Sequence, residues 1–190
     1  MGSWRSRVVS RGGMTRVAVI GPGGAGKSRI ASQLGEATGA RVVELDRLFW
    51  QPGWVETPAP EWEEIQRQEL EQEPWIVEGL HSETMHLWLE AADTIVFLDI
   101  SPLVATWRVS RRRLSGEDRS TAPDGCEPAP AHRALIKFLL YQWDYRRKIR
   151  PEILSILDRR GDAEIAVLRT PREVDAFLGR LERDREAQTA

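Results

Sequence analysis

A single cysteine, Cys126, stands in 190 residues, so no disulfide can form within the chain, and the composition suits a reducing compartment such as the cytoplasm. No apolar run approaches the roughly 18 to 20 residues that a membrane span requires, and no long apolar stretch follows the first basic residues as in a secretory leader. An excess of one charge is also lacking. Lys and Arg number 27 against 29 Asp and Glu, a net charge of −2, which gives no global attraction to nucleic acid or an anionic membrane. Histidine is sparse, and Glu78-x-x-His81 lacks the second histidine of a metalloprotease helix, which excludes that zinc chemistry. What remains is a chain sized for one α/β domain.

The most informative stretch present is Gly21-Pro22-Gly23-Gly24-Ala25-Gly26-Lys27-Ser28. It follows the β-branched run Arg16 to Ile20 and opens onto a helical pattern from Arg29 to Ala37, the strand-to-helix context that a Gly-x-x-x-x-Gly-Lys-Ser phosphate loop needs. The glycines allow the backbone amides to turn inward, and the positive end of the next helix adds to a seat for phosphate oxygens. Gly21, Gly23, Gly24, Ala25, Gly26 and Arg29 are the expected cradle, Lys27 the residue that reaches the β and γ phosphates, and Ser28 a ligand for Mg2+. ATP with magnesium is the expected cofactor pair.

Strand patterns recur at Arg41 to Leu45, Trp75 to Val77, Thr94 to Leu98 and Glu164 to Leu168, separated by helical periodicities, with Gly39 a stop for the first helix. Five strands alternating with helices predict a parallel sheet covered on both faces. Residues 1–13, rich in Gly, Ser and Arg, are expected to be a disordered extension. Residues 14–182 form the domain, with a lid-like insertion over about 112–146, and 183–190 a frayed tail. Within the insertion, Gly and Pro between Ser115 and His132 predict a long loop, and Arg150-Pro151 is expected to bend or end the helix that follows.

These features together resemble the adenylate-kinase-related branch of P-loop kinases. More narrowly, Leu45-Asp46-Arg47-Leu48-Phe49-Trp50-Gln51-Pro52-Gly53-Trp54, Trp75-Ile76-Val77-Glu78-Gly79 and Arg146-Arg147-Lys148-Ile149-Arg150-Pro151 resemble the bacterial topology-modulation (FlaR-like) family, over about Thr15 to Leu181. The resemblance implies a P-loop NTPase sheet with strand order 2-3-1-4-5.

Asp46 follows the second strand, at the carboxyl edge where open parallel sheets bind ligands, and an acid there resembles the base of hydroxyl-directed kinases. Glu78 stands where the related kinases carry Asp-Gly, so it is a candidate magnesium ligand, directly or through water, with Gly79 beside the substrate. Asp99 ends another strand and is read first as a helix cap. Arg108 and Arg112 share a helix face, and the resemblance sets such arginines over adenine and phosphates. Arg146 or Arg150 is expected to close on the transferring phosphate, with Arg112 and Arg146 counted as catalytic. Trp50, Trp54, Trp62 and His81 surround the acceptor region, Trp50 and His81 as substrate contacts and most of the tryptophans as core.

Between Val42 and Ile100 acids far outnumber bases, the only basic side chains being Arg47 and Arg67. An acceptor phosphate would need more, so the reading is a neutral or cationic small molecule with a hydroxyl. The expectation is an ATP-dependent phosphotransferase whose partners are a nucleotide and that acceptor, with neither membrane nor nucleic acid. The alternatives are a nucleoside monophosphate kinase and an ATP-switched module acting on DNA or a protein.

Overall fold

The computed structural model describes residues 14–115, 123–126 and 131–189. Its elements are β1 (Arg16–Ile20), α1 (Lys27–Thr38), β2 (Arg41–Glu44), α2 (Leu45–Phe49), β3 (Trp50–Gln51), β4 (Val55–Glu56), α3 (Ala59–Leu70), β5 (Trp75–Gly79), α4 (Met85–Ala91), β6 (Thr94–Leu98), α5 (Pro102–Ser115), α6 (Ala131–Asp144), a π-helical turn (Tyr145–Ile149), α7 (Arg150–Arg159), β7 (Glu164–Leu168) and α8 (Pro171–Thr189). Five strands form one parallel sheet in the order β2-β5-β1-β6-β7. That is the expected 2-3-1-4-5 arrangement of a P-loop α/β fold. β3 and β4 make a separate two-stranded hairpin.

Each central strand is apolar on both sides because helices cover both faces of the sheet. Alternation within β1 sends Ala18 and Ile20 to one core, with Trp62, Met85, Trp88, Tyr145 and Leu157. It sends Val17 and Val19 to the other, with Ile30, Leu34, Phe177 and Leu178. The first layer holds α3, α4 and α7, and the second α1 and α8. α1 ends as expected, with Gly39 in the left-handed conformation and its N–H on Gly35 O. In α3 the buried face is Trp62 and Gln66. Gln66 gives its Nε2 to Trp62 O and accepts from Thr84 Oγ1 at 3.1 Å, which ties α3 to the start of α4.

Three expectations change. β2 stops at Glu44, and Asp46 sits in the first turn of the short α2. Helices take both ends of the expected 115–132 loop, Ser115 closing α5 and Ala131 opening α6, while 116–122 and 127–130 lie outside the described residues, as does the 1–13 extension. Pro151 does not end its helix. The π turn widens the coil just before it, with Arg150 N bonded to Tyr145 O, and Pro151 then occupies the first turn of α7, where its missing N–H is harmless. No helix among the described residues is long and apolar enough to cross a membrane.

Asp99 is corrected as well. Its buried carboxylate takes the guanidinium of Arg150 through Nε and Nη2, both at 2.7 Å, which fastens the end of β6 to α7. Both carboxylate oxygens are thereby engaged, and a cap of the following helix is not their role. The bidentate geometry raises the Arg150 pKa further. Asp99→Asn is expected to lower the unfolding free energy by about 2–4 kcal/mol, since one partner of a mostly buried pair is removed. Urea unfolding of the two proteins checks this; equal midpoints would show the pair to be energetically neutral.

Candidate functional site

The loop between β1 and α1 is shaped by backbone that only glycine tolerates. Gly26 is the N-cap of α1 at φ 100°, and Gly24 has φ 78°, with room for no Cβ, since one would lie 2.6 Å from Ala105 O of α5. No side chain caps the first turn of α1, so its amides keep their hydrogen-bonding capacity for a ligand. Lys27 folds back over the loop, its Nζ 3.5 Å from Pro22 O. Gly21 packs on Leu98, and Gly23 lies under the rings of Phe138 and Tyr141. Gln142 of α6 donates to Gly23 O at 3.2 Å. This roof from α6 carries no motif and was not foreseen; the 3.6-residue spacing of Phe138, Tyr141 and Gln142 marks a buried face without saying what it covers.

A cavity of about 710 Å³ runs along this loop. Its lining includes Gly23 to Arg29, then Glu44 at the end of β2, Asp46 and Arg47 of α2, and Glu78 of β5. Arg108 and Arg112 of α5, with Pro171, Val174 and Asp175 of α8, line it as well. Parallel pairing brings these groups together: Val19 stands beside Glu78 and Ile20 beside Gly79, while Glu44 pairs with Glu78 on the other side. Gly79 packs against Leu45, bringing α2 down onto the end of β5.

Ser28 Oγ donates to Glu78 Oε1 at 2.8 Å. Burial pushes the Glu78 carboxyl up, and the nearby Asp46 and Glu44 add to this, against the pull of Lys27 and the Ser28 hydrogen bond. Asp46 goes the other way. Partial burial raises it, but the hydrogen bond from His81 and the charge of Lys27 outweigh that and leave the carboxyl below its ordinary value. His81 Nε2 lies 3.2 Å from Asp46 Oδ1. Burial holds the Tyr141 phenol up at about 12, so it remains protonated throughout the neutral range.

At the opposite end, Arg108 Nη1 donates to Ala25 O at 2.8 Å, against the phosphate loop, and Arg29 approaches Asp175 at 3.7 Å. Arg146 does not line this cavity. It borders a separate groove between α5 and α6 with Trp107, Leu139 and Trp143. Arg150, the other candidate for the same task, is held by Asp99. Trp62 is buried in the core, while Trp50 is half-buried with its ring edge-on to Phe49 and Trp54. Arg67 pairs with Glu63 on its own helix at 2.8 Å, and Arg47 with Glu44 at 3.0 Å.

The β3–β4 hairpin also meets the 123–126 segment. Gly53 N–H donates to Gly125 O at 3.0 Å, Cys126 Sγ to Gln51 O at 3.4 Å, and Pro123 reaches the cavity lining.

No family model and no curated protein matched the chain. Solved structures similar to it include a gluconokinase from Sinorhizobium meliloti 1021, 19% identical, covering 94% of this chain and 99% of that one at a TM-score of 0.49. A shikimate kinase from Bacteroides thetaiotaomicron is 15% identical, covering 88% and 96%, TM-score 0.45. A deoxyadenosine kinase from M. mycoides is 13% identical, covering 90% and 98%, TM-score 0.41. The likeness concerns the general course of the chain.

Proposed function

We propose that the chain is an ATP-dependent phosphotransferase that moves the γ-phosphoryl group to a hydroxyl of a neutral or cationic small molecule. One observation carries this reading: a single cavity joins an uncapped, glycine-shaped phosphate loop to a pair of carboxylates, Asp46 and Glu78, whose environments drive their pKa values apart. Phosphoryl transfer asks for positioning and charge neutralisation more than for covalent chemistry. The loop amides and Lys27 hold the phosphates. Arg108 and Arg112 face them from α5, and Arg108 is already fixed to the loop carbonyl of Ala25. Asp46, kept ionised, accepts the proton of the acceptor hydroxyl.

Ser28 and Glu78 fit a magnesium site: a hydroxyl and a buried carboxylate 2.8 Å apart beside the phosphate seat, with Lys27 the cation that acts on the carboxylate among the described residues. A bound Mg2+ would neutralise phosphate charge there. The acceptor end is supported by what its cations are doing. Among the described residues between Val42 and Ile100, the two arginines, Arg47 and Arg67, are each paired with a glutamate of their own segment, which disfavours an acceptor carrying a phosphate such as a nucleoside monophosphate. Within the basic run at Arg146 to Arg150, Arg147 lies over Trp143, Lys148 pairs with Asp144 and Arg150 with Asp99, which disfavours a nucleic-acid or protein switch built on those three. The finer kinship with the topology-modulation family rests on Leu45 to Trp54 and Arg146 to Pro151, and a cytoplasmic setting on the unpaired Cys126.

A pooled-metabolite phosphorylation screen with labelled ATP, read by mass spectrometry against Lys27→Ala, is expected to yield a phosphorylated hydroxyl compound without an acceptor phosphate. Conversion of AMP or CMP to diphosphates instead would overturn the acceptor assignment. With the acceptor in hand, Asp46→Asn is expected to lower turnover by at least about 100-fold, as loss of a general base does, with ATP affinity unchanged. Unaltered turnover removes Asp46 from that role.

Glu78→Gln yields a prediction of opposite sign for stability and for ligand response. Because burial raises its folded-state pKa, ionised Glu78 weakens the ligand-free fold once the pH climbs above the ordinary carboxylate range, and protonation at low pH removes that effect. Ligand-free Glu78→Gln is therefore expected to melt higher than the parent at pH 7, with the gap closing toward pH 4. It is also expected to gain less from Mg-ATP. Scanning fluorimetry at both pH values tests both parts; a variant that melts lower at pH 7 contradicts the first.

A further inference from the structure

We propose that His81 is a positioning residue for Asp46, holding one carboxylate oxygen so that the exposed carboxylate stays presented to the cavity it lines. The proposal rests on the reading of Asp46 as the base. Asp46 sits on the five-residue α2 with its side chain 64% exposed, whereas the His81 side chain is 14% exposed. An exposed aspartate on so short an element would distribute over several rotamers. The bond to His81 spans 35 positions of sequence and joins α2 to the loop after β5.

The imidazole is itself held. Its ring centroid lies 4.5 Å from that of Phe49 and 5.0 Å from that of Trp62, and Phe49 meets Trp62 at 5.2 Å. Trp62 is 3% exposed, so the ring stack is rooted in the core. An ionised carboxylate only accepts hydrogen bonds, so Nε2 must carry the proton. His81 is absent from the cavity lining. It stands behind Asp46 and acts through it, in place of the direct substrate contact expected from sequence. The other titratable groups that act on or feel Asp46 are Lys27 of α1, Glu78 of β5 and Tyr141 of α6.

Two substitutions separate hydrogen bonding from packing. His81→Phe keeps a ring against Phe49 and Trp62 but has no donor; His81→Gln offers an N–H at similar reach but no ring. The first readout is a carbon-13 NMR titration of the Asp46 carboxyl in the ligand-free full chain. Asp46 is expected to titrate at higher pH in His81→Phe and to return toward the parent value in His81→Gln. The second is a kinetic split with the acceptor found by the screen: kcat falls about tenfold or more in His81→Phe, as misplacement of a reacting group does, KM for ATP holds, and His81→Gln recovers part of the loss. No movement of the Asp46 titration in His81→Phe, or full activity in His81→Phe with loss in His81→Gln, overturns the proposal in favour of packing. The titration needs no acceptor, so it decides the contact between the two residues even if Asp46→Asn shows that the base lies elsewhere.

Discussion

The register between β1 and β5 is the constraint on which the rest of the site depends. Val19 opposite Glu78 and Ile20 opposite Gly79 bring the phosphate loop and the carboxylate out of the sheet at the same level, on adjacent strands. A slip of one residue would turn Glu78 to the other face of the sheet and bury a valine or glycine in its place. Four residues of each strand are apolar or small and wholly buried, and both faces are covered, so such a slip would also misplace every side chain of two cores. The chemistry at the edge is thereby specified by packing far below it. The Ser28–Glu78 hydrogen bond then needs no further device to form.

Charge is divided along the cavity in a way that follows from this geometry. Lys27 is the one cation that acts on both Asp46 and Glu78 among their resolved influences, and it does so unequally. For Glu78, burial together with the charges of Asp46 and Glu44 wins over Lys27 and Ser28. For Asp46, burial is the largest single influence, but His81 and Lys27 together outweigh it. Two carboxylates lining one cavity thus acquire different characters, one held above its ordinary range and the other below it, the difference that the proposed roles of cation ligand and base would use. Arg108 and Arg112, the arginines proposed to balance phosphate charge, come from α5, outside the strand edge, whereas Asp46 and Glu78 stand at the edge itself.

What could be read from sequence was what is local. The loop, the strands, the Gly39 stop and the acid after β2 are carried by spacing within a few residues, and each depends on backbone rules that hold wherever the segment lies. The partner of Asp99 could not be read, because Arg150 lies 51 positions away and looks like one of several arginines on a helical face. Gln66 was passed over for a related reason: in a helix rich in glutamate its burial depends on Thr84, which sequence does not bring near. Arg146 borders the groove between α5 and α6 rather than the cavity at the loop, a placement that depends on how α6 packs on α5 and that helical spacing alone does not supply. The roof over Gly23 from Phe138, Tyr141 and Gln142 was invisible because nothing in those residues speaks of phosphate.

The acceptor side shows how a weakly constrained region becomes a site. The β3–β4 hairpin pairs only Trp50 with Glu56 and Gln51 with Val55, too little to stand alone. It is held from two directions. Thr57 N–H and Oγ1 both bond Phe49 O at its base, and Gly53 and Gln51 meet Gly125 and Cys126 at its tip. Phe49 is therefore at once the end of α2, the anchor of the hairpin and one wall of the clamp on His81. Phe49 thus links the hairpin to Asp46 through His81. The hairpin and Asp46 are in this sense a single mechanical unit, packed against the core through Trp62 and separate from the glycine-rich loop after β1.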